Sequence, residues 1–209
     1  MPELVSVIIP TFRRGKDLAR ALQSVVSQTY PYLEILVVND HPPDRESLDR
    51  LYSDLDDRIR ILHNPRNMGA PASRNRGMEE STGEFIALLD DDDWWREDKI
   101  AKQVSLLRAD PSVGFVGCGY FDEWLGRNRF PNRRGKVDRD LLVSFSNVET
   151  STVLFRRSVM EEVGEIDTSL PSEQNHDLFY RMSKVAPFYF VPESLVVKTA
   201  PGTRSPGGP

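Results

Sequence analysis

Residues 83–95 read GEFIALLDDDDWW and join a run of apolar residues directly to four consecutive aspartates. Residues 85–89 have the length and the apolar character of a buried strand. In open α/β sheets, ligands bind beyond the carboxyl ends of the strands, and the aspartates follow this strand immediately. The segment therefore predicts a sheet strand with a polar site at its end.

Apolar runs of similar length recur on both sides of this segment, at residues 5–9, 35–38, 59–62 and 113–116. The stretches between them have helical period, as in the run where Leu18, Leu22 and Val25 share one face. Such alternation is typical of a parallel sheet covered by helices. We therefore expect an α/β fold with a mostly parallel central sheet flanked by helices.

Beyond residue 120 the pattern is less regular. Residues 122–136 are rich in Arg, Asn, Gly and Pro, which predicts a long loop or an irregular hairpin. A strand at residues 153–155 and a helix around residues 178–185 follow. We expect one domain over residues 1–198, with a nucleotide-binding half at 1–120 and an irregular substrate-side half at 121–198. The low apolar content of residues 199–209 predicts a disordered tail.

The composition narrows the classes of protein to be considered. The 209 residues include 27 Lys plus Arg and 32 Asp plus Glu, which argues against a nucleic-acid surface built on bulk charge. Cys118 is the single cysteine, so the chain holds no internal disulfide and no cysteine-based zinc site; its apolar neighbours place it in the core. Without a membrane-length apolar run or a signal peptide, we expect a cytoplasmic protein, with association at the inner face of the membrane left open.

The aspartates at residues 90–93 would repel one another unless a cation compensated them. Mg²⁺ and Mn²⁺ prefer carboxylate oxygens and commonly share them with substrate phosphates. The alternative is a solvated acidic turn in which Asp93 caps the following helix. The position at a strand end, followed by Trp94 and Trp95, favours a metal-phosphate site.

Two further segments contain polar residues that could bind a ligand. Asp40 follows the second strand and could either satisfy turn backbone groups or hydrogen-bond a base or ribose. Arg74 and Arg76 lie beside a glycine-containing turn and a predicted helix start, a combination that suits a pyrophosphate. A solvated basic helix face is the alternative, more so for Arg76 than for Arg74.

Asp177 precedes the apolar helix residues Leu178 and Phe179. A carboxylate there either faces the helix dipole or serves as a general base, and position alone leaves both open. His176 beside it is another candidate base, although an isolated histidine is more often structural.

Several segments, in this order, resemble the family 2 glycosyltransferases with the GT-A fold. They are VSVIIPTFRR, ILVVND, NPRNMGAPASRNRG, GEFIALLDDDDWW, FRRSVMEEVGEID and NHDLFYRMSKVAPFYFVPE. The resemblance extends to about residue 198, which is nearly the whole chain.

The resemblance implies roles for residues in the first half. Pro10 and Thr11 match strand-end residues that contact the nucleotide. Asp40 matches the aspartate that hydrogen-bonds the base, usually uracil. Arg74 matches an arginine near the base and diphosphate.

The resemblance also implies a metal ligand and a catalytic base. Asp90 and Asp92 fall on the DxD motif, in which the second aspartate coordinates Mn²⁺ or Mg²⁺ and a neighbouring carboxylate reaches the ribose. We therefore assign Asp90 and Asp91 to nucleotide-sugar binding and Asp92 to the metal. Asp177 falls on the last position of the ED-type motif that supplies the base, with His176 in place of the usual glutamate.

The implied function is a metal-dependent inverting transfer from a nucleotide-diphosphate sugar, a UDP-sugar first, to an acceptor hydroxyl by single displacement. The acceptor would be a glycan, a lipid-linked molecule or a small molecule, as in cell-surface polysaccharide biosynthesis. One alternative is a module of this fold that binds nucleotide or glycan without catalysis. It is motivated by Ala200, which stands where the family often has a histidine, with Lys198 or Arg204 as substitute contacts. A phosphoacceptor signalling domain is disfavoured, because Pro10-Thr11 replaces the acidic pair that such a fold needs.

Overall fold

A computed structural model describes residues 3–52, 55–130, 135–137 and 148–199 of the chain. The strands are β1 (Val5–Thr11), β2 (Leu33–Asn39), β3 (Ile59–His63), β4 (Phe85–Leu88), β5 (Trp94–Trp95), β6 (Phe115–Asp122), β7 (Arg127–Arg129), β8 (Gly135–Val137), β9 (Leu154–Arg156) and β10 (Phe188–Lys198). The α-helices are α1 (Gly15–Val26), α2 (Arg45–Tyr52), α3 (Ala70–Glu80), α4 (Lys99–Ala109), α5 (Arg157–Val163) and α6 (Gln174–Val185).

The described strands form one sheet in the order β3-β2-β1-β4-β9-β6-β10-β5, with β7 beside β6 and β8 beside β10. Strands β1 to β4 are mutually parallel where they pair, and β6 is parallel to β10. The short strand β9 runs antiparallel between β4 and β6. The α/β fold with a mostly parallel sheet flanked by helices is thus confirmed, and strands of both predicted halves of the chain share it.

Helices cover both faces of the sheet, and each face has its own apolar core. One core joins α1, α2 and α4 to the β1 residues Val5, Val7 and Ile9. The other joins α3, α5 and α6 to Ile8 and to residues of β4 and β9. Successive strand residues point to opposite faces, so a strand covered on both sides becomes a continuous apolar run, as in β1.

Helix α3 packs closely on β1 at Gly77. A Cβ atom at Gly77 would lie 2.4 Å from Cγ2 of Ile8, a side chain that is fully buried. Glycine therefore permits the short separation between helix and strand. Arg74, one turn earlier on α3, is thereby held near the carboxyl end of β1.

Several elements were not predicted from the sequence. Helices α2 and α5 are short, with 8 and 7 residues, so their apolar periods are incomplete. Strand β10 contains Pro192 and has register shifts between Val191 and Val196, which allow a proline inside a long strand. The irregular hairpin expected at residues 122–136 is seen as β6 paired with β7, and its residues 131–134 lie outside the described residues.

The predicted tail begins too early by at least one residue. Thr199 is buried, and its hydroxyl donates to the backbone carbonyl oxygen of Asp92 while accepting a hydrogen bond from Arg20. Residues 200–209, including Ala200 and Arg204, lie outside the described residues. The packed chain therefore extends past residue 198.

No described helix combines the length and the apolar character required to cross a bilayer. The longest described helices, α1 and α6, have 12 residues each, against the roughly 20 that a spanning helix needs.

Lys99, at the start of α4, is fully buried. Its ammonium Nζ donates to Oε1 of Gln103 at 2.7 Å and lies 4.0 Å from the centre of the Trp95 ring. The amide of Gln103 in turn donates to the carbonyl oxygens of Val116 and Thr152 at 3.0 and 2.8 Å. Because burial disfavours the charged amine, it lowers the pKa of Lys99 from an ordinary 10.5 to about 8.

We expect Lys99→Met to be more stable than the wild type near pH 7. Below pH 8 the lysine is protonated in both folded and unfolded chains, and the full cost of burying the charge applies. Between pH 8 and 10.5 the folded protein has released the proton while the unfolded chain still holds it, so the wild type gains stability as pH rises. The advantage of the variant should shrink by about 3 kcal/mol over that interval.

Urea unfolding at a series of pH values measures this effect. Lys102→Met is the matched control, because Lys102 lies on the same helix with its amine paired to Asp98 and Glu193 at the surface. A stability difference between the Lys99 variant and the wild type that stays constant from pH 7 to 10.5 would contradict the expectation.

Candidate functional site

A cleft of about 600 Å³ lies at the carboxyl ends of β1, β2 and β4. These strands are parallel, so the residues that follow them meet at one edge of the sheet. The seven nucleotide and metal residues predicted from the sequence all line it: Pro10, Thr11, Asp40, Arg74, Asp90, Asp91 and Asp92. The structure therefore brings this predicted set together.

The acidic segment after β4 is packed inside the protein. Asp91, Asp92 and Asp93 are only 5, 5 and 2% exposed. Helix α4 begins at Lys99, directly after Asp98, so Asp93 does not cap it. The alternative of a solvated capping turn is therefore wrong, because these carboxylates turn into the fold instead of into water.

The geometry of the segment fits a divalent cation. One carboxylate oxygen from each of Asp90, Asp92 and Asp93 lies within 4.8 Å of the others. Oxygen ligands in such a cluster suit Mg²⁺ or Mn²⁺, which share carboxylates with phosphate groups. The predicted ligand Asp92 belongs to the cluster, and Asp90 and Asp93 supply the remaining carboxylates.

Two aspartates of the acidic segment, Asp91 and Asp93, have raised pKa values because they are buried. Burial raises the pKa of Asp91 to about 6, although the Thr11 hydroxyl and the Arg14 guanidinium oppose the change. Burial and the neighbouring Asp90 carboxylate raise the pKa of Asp93 well above its usual range. A divalent cation would favour the ionised forms, so its binding should release protons.

Two arginines partly neutralise the segment. Nη1 of Arg14 lies 3.0 Å from Oδ1 of Asp91 and 2.8 Å from Oδ2 of Asp92. Nη2 of Arg74 lies 2.5 Å from Oδ1 of Asp90. The Nε–H of Arg74 is buried and has no hydrogen-bond partner within the described ranges. A buried guanidinium with an unused donor, in a cleft, suits an anionic ligand.

Asp40 holds the loop that leads into α3. Its Oδ1 accepts hydrogen bonds from the side chain of Asn64 and the backbone N–H of Met68, both at 2.8 Å, and its Oδ2 accepts from the N–H of Gly69 at 2.8 Å. The turn immediately after β2 is satisfied instead by Asn39, whose Oδ1 accepts from the His41 N–H at 2.9 Å. Asp40 therefore lines the cleft and also fixes the start of α3.

The two arginines of α3 separate in the structure. Arg74 lines the cleft, whereas Nη1 of Arg76 donates to Oδ1 of Asn64 at 2.8 Å and is absent from the described cleft lining. Arg76 thus supports the Asn64 side chain that contacts Asp40.

Asp177, the predicted general base, is absent from the described lining of the cleft. It lies in the first turn of α6, and its Oδ2 accepts from Nε of Arg181 at 2.8 Å. Arg181 donates its other N–H groups to carbonyl oxygens at the end of α5, including Val163 at 2.6 Å and Glu165 at 2.7 Å. Asp177 is therefore part of a contact between α5 and α6. His176 beside it is exposed and contacts the Val148 carbonyl oxygen at 3.1 Å.

Residues that sequence reasoning missed connect α6 to the acidic segment. Ser151 donates its hydroxyl to Oδ2 of Asp93 at 2.7 Å and accepts from the Asp90 N–H at 3.2 Å. Next to it, Thr150 accepts from Nδ2 of Asn175 at 2.8 Å, and the buried Oδ1 of Asn175 has no partner among the described residues. The α6 residue linked to the acidic segment is thus an amide two positions before Asp177.

Only one of the missed residues had a signal in the sequence. Arg14 follows β1 at the same edge as Thr11, so an inspection of residues after each strand end could have found it. Ser151 lies 58 positions from Asp93 along the chain, and Asn175 is linked to the acidic segment through the neighbouring residue Thr150. No local sequence pattern therefore indicates either residue.

Comparisons with known proteins show which family and which solved structures this chain is similar to. The family model for glycosyl transferase family 2 matches residues 6–164. An uncharacterized glycosyltransferase of Rickettsia conorii is 30% identical over 207 residues, covering 94% of this chain and 34% of the relative. The putative teichuronic acid biosynthesis glycosyltransferase TuaG of Bacillus subtilis is 34% identical over 119 residues, covering 56% of this chain and 46% of the relative. The chain spans about a third to a half of the length of these relatives.

Solved structures share the fold. TarS 1–349 of S. aureus in complex with UDP superposes with a TM-score of 0.79 at 17% identity, covering 94% of this chain and 60% of that one. The mannosyltransferase PcManGT of Pyrobaculum calidifontis, in complex with GDP-Man and Mn²⁺, superposes with a TM-score of 0.74 at 21% identity, covering 97% and 58%.

Proposed function

The chain belongs to glycosyl transferase family 2, and we propose that it transfers a sugar from a nucleoside diphosphate sugar to an acceptor hydroxyl. The observation that carries the proposal is the cleft at the ends of β1, β2 and β4. In it the carboxylate cluster of Asp90, Asp92 and Asp93 lies beside the buried guanidinium of Arg74.

The donor is proposed to be a UDP-sugar, held by residues of the cleft. Arg74 and the amino end of α3 would bind the diphosphate, since helix N-termini and guanidinium groups both attract phosphate. Asp40 would hydrogen-bond the base, with Pro10 and Thr11 against the nucleoside and the carboxylates of Asp90 and Asp91 toward the ribose. The complexes of TarS with UDP and UDP-GlcNAc support this choice of nucleotide for a chain of the same fold.

Asp92, together with Asp90 and Asp93, would hold a divalent cation, Mn²⁺ or Mg²⁺. A cation bound there would neutralise the negative charge that develops on the leaving diphosphate. The carboxylates of this chain fix the position of that charge, and burial of the segment limits the access of water. The Mn²⁺ in the PcManGT complex supports a metal in this fold.

For the transfer step we propose Asp177 as the general base. Its carboxylate would take the proton of the acceptor hydroxyl while the hydroxyl oxygen forms a bond to the anomeric carbon. The bond from that carbon to the diphosphate oxygen breaks on the opposite face, so the configuration inverts in a single displacement. Asp177 lies in the first turn of α6, where Nε of Arg181 holds its carboxylate at 2.8 Å.

A second candidate function is nucleotide binding without transfer. It is favoured by the contacts of α6, because Asp177 is paired with Arg181 and the residue linked to the acidic segment is Asn175. A neutral amide does not accept a proton at neutral pH, so Asn175 cannot replace a carboxylate base. Both candidates share the donor site and differ only at the acceptor side.

The acceptor is proposed to be a glycan, a lipid-linked molecule or a small hydroxyl compound of cell-surface polysaccharide biosynthesis. The named role of TuaG in teichuronic acid biosynthesis supports this class.

Calorimetric titration of UDP, GDP and dTDP, each with and without Mn²⁺, tests the donor site. We expect UDP to bind with a Kd near 10 μM, which corresponds to about 7 kcal/mol, and at least about tenfold more weakly without Mn²⁺. GDP and dTDP should bind more weakly than UDP under the same conditions. If none of the three diphosphates binds in the presence of Mn²⁺, the proposed donor site is wrong.

A further inference from the structure

We propose that Arg14 alternates between two partners. One partner is the carboxylate pair of Asp91 and Asp92, which its guanidinium contacts in this structure, and the other is the diphosphate of the donor, which a cation on Asp92 would favour. This inference rests on the proposed function, since it assigns a further donor-binding residue to the same cleft.

The position of Arg14 supports its pairing with Asp91 and Asp92. A single nitrogen, Nη1, contacts both Asp91 at 3.0 Å and Asp92 at 2.8 Å. The two carboxylates are 7% exposed, whereas the arginine side chain is 32% exposed. The guanidinium therefore covers the buried carboxylates and is itself the more accessible partner from the cleft.

The backbone before Arg14 is held in an unfavourable conformation. Arg13 has a φ of 59°, in the left-handed region that residues with a Cβ rarely adopt. Arg14 itself is the residue that precedes α1, and none of the described contacts gives its side chain a capping role there. Strain of this kind persists where the surrounding structure requires it, and here the strained residue directly precedes the arginine that contacts the acidic segment.

A cation on Asp92 would replace the Arg14 guanidinium as the counter-charge of that carboxylate. Arg14 bonds an oxygen of Asp92, which belongs to the carboxylate cluster that fits a divalent cation. A doubly charged cation on Asp92 would repel the guanidinium and satisfy the same carboxylate. Asp91 would keep its hydrogen bond from the Thr11 hydroxyl at 2.8 Å, so it would not be left without a partner.

The second partner is available in the same cleft. Arg14 lines it together with Arg74 and Ala70, the first residue of α3. A diphosphate between these groups would offer several oxygen acceptors to a planar guanidinium, which binds phosphate through paired hydrogen bonds. Arg14 would thereby exchange one pair of anionic oxygens for another.

The exchange predicts opposite effects of one substitution on two ligands. In Arg14→Met, Mn²⁺ added alone should bind about tenfold more tightly, because its internal competitor is gone. UDP added at saturating Mn²⁺ should bind about tenfold more weakly, because a diphosphate contact is gone. A general loss of structure would weaken both ligands, so the opposite signs are specific to the proposal.

Titration calorimetry with MnCl₂ and then with UDP measures both effects on the full chain. Arg60→Met is the matched control, since it removes the same charge from an exposed side chain on β3 that pairs with Glu80. It should change each affinity less than twofold. Arg14→Lys provides a second test if the methionine variant does not fold, and it should show the same two signs with about threefold changes.

An Mn²⁺ affinity in Arg14→Met that equals or falls below that of the wild type overturns the proposal. An unchanged UDP affinity overturns it as well. Failure of the wild type to bind either Mn²⁺ or UDP overturns the proposed function together with this inference, whereas wild-type binding without the sign reversal overturns the inference alone.

Discussion

In Asp92→Asn, Mn²⁺-dependent binding of UDP is expected to fall at least about 100-fold, since second-shell changes alone cost metal sites 10–100-fold. The amide keeps the size of the side chain and one oxygen but loses the charge that attracts a hard cation. It also removes one of the carboxylates whose oxygens approach within 4.8 Å of one another. Titration of UDP in the presence and absence of Mn²⁺ measures the loss.

The stability of the Asp92 variant distinguishes loss of a ligand from loss of the fold. The change relieves repulsion among buried carboxylates but weakens the contact with Arg14, which keeps Asp91 as its partner, so the unfolding temperature should stay close to that of the wild type. Asp98→Asn is the matched control, because Asp98 lies in the same connection but outside the cleft lining and pairs with Lys102 at the surface. Retained Mn²⁺-dependent UDP binding in Asp92→Asn would show that the metal assignment is wrong.

In Asp177→Asn, turnover with an acceptor is expected to fall by about 10²–10⁴, the usual contribution of a general base, while the donor Kd stays within about twofold. The asparagine keeps the shape of the side chain but has little affinity for a proton. The donor site should be unaffected, because Asp177 is absent from the described lining of the cleft. Steady-state kinetics with a UDP-sugar, combined with UDP calorimetry, separates the two effects.

The Arg181→Met variant distinguishes a catalytic role of Asp177 from a purely structural one. It removes the ion pair and the hydrogen bonds to the end of α5 but leaves the Asp177 carboxylate in place. If Asp177 is the base, this variant loses stability yet keeps most of its turnover. Equal losses of turnover and stability in both variants would mean that Asp177 only joins α5 to α6. Binding of UDP by a wild type that shows no turnover with any acceptor would favour nucleotide binding without transfer.

The proposed donor site and the proposed acceptor side are built differently. The donor cleft is assembled from residues that directly follow β1, β2 and β4, together with the start of α3. The link to α6 depends on the turn at Thr150 and Ser151, which contacts the acidic segment on one side and Asn175 on the other. Substitutions in that turn should therefore affect both sides at once.

The sequence by itself determined β1 to β4, β6 and β9 and seven members of the proposed donor cleft. Apolar runs set which segments are strands, and the parallel direction of β1, β2 and β4 brings the residues after them to one edge. Thr11, Asp40 and Asp90 could thus be grouped without a structure. For these three residues, membership of the cleft is a local property, because each follows the end of one of these parallel strands.

Only the tertiary structure decided which charged residues contact one another and which residue of α6 is linked to the acidic segment. Arg14 contacts Asp92 across 78 positions of the chain, and Ser151 contacts Asp93 across 58. The orientation of α6 places Asp177 against Arg181 and Asn175 toward Thr150. Two residues two positions apart on a helix face different directions, and which one faces the site is set by how the helix packs on the sheet. That packing depends on side chains from β4, β9 and α5 together, so no single segment of the sequence contains it.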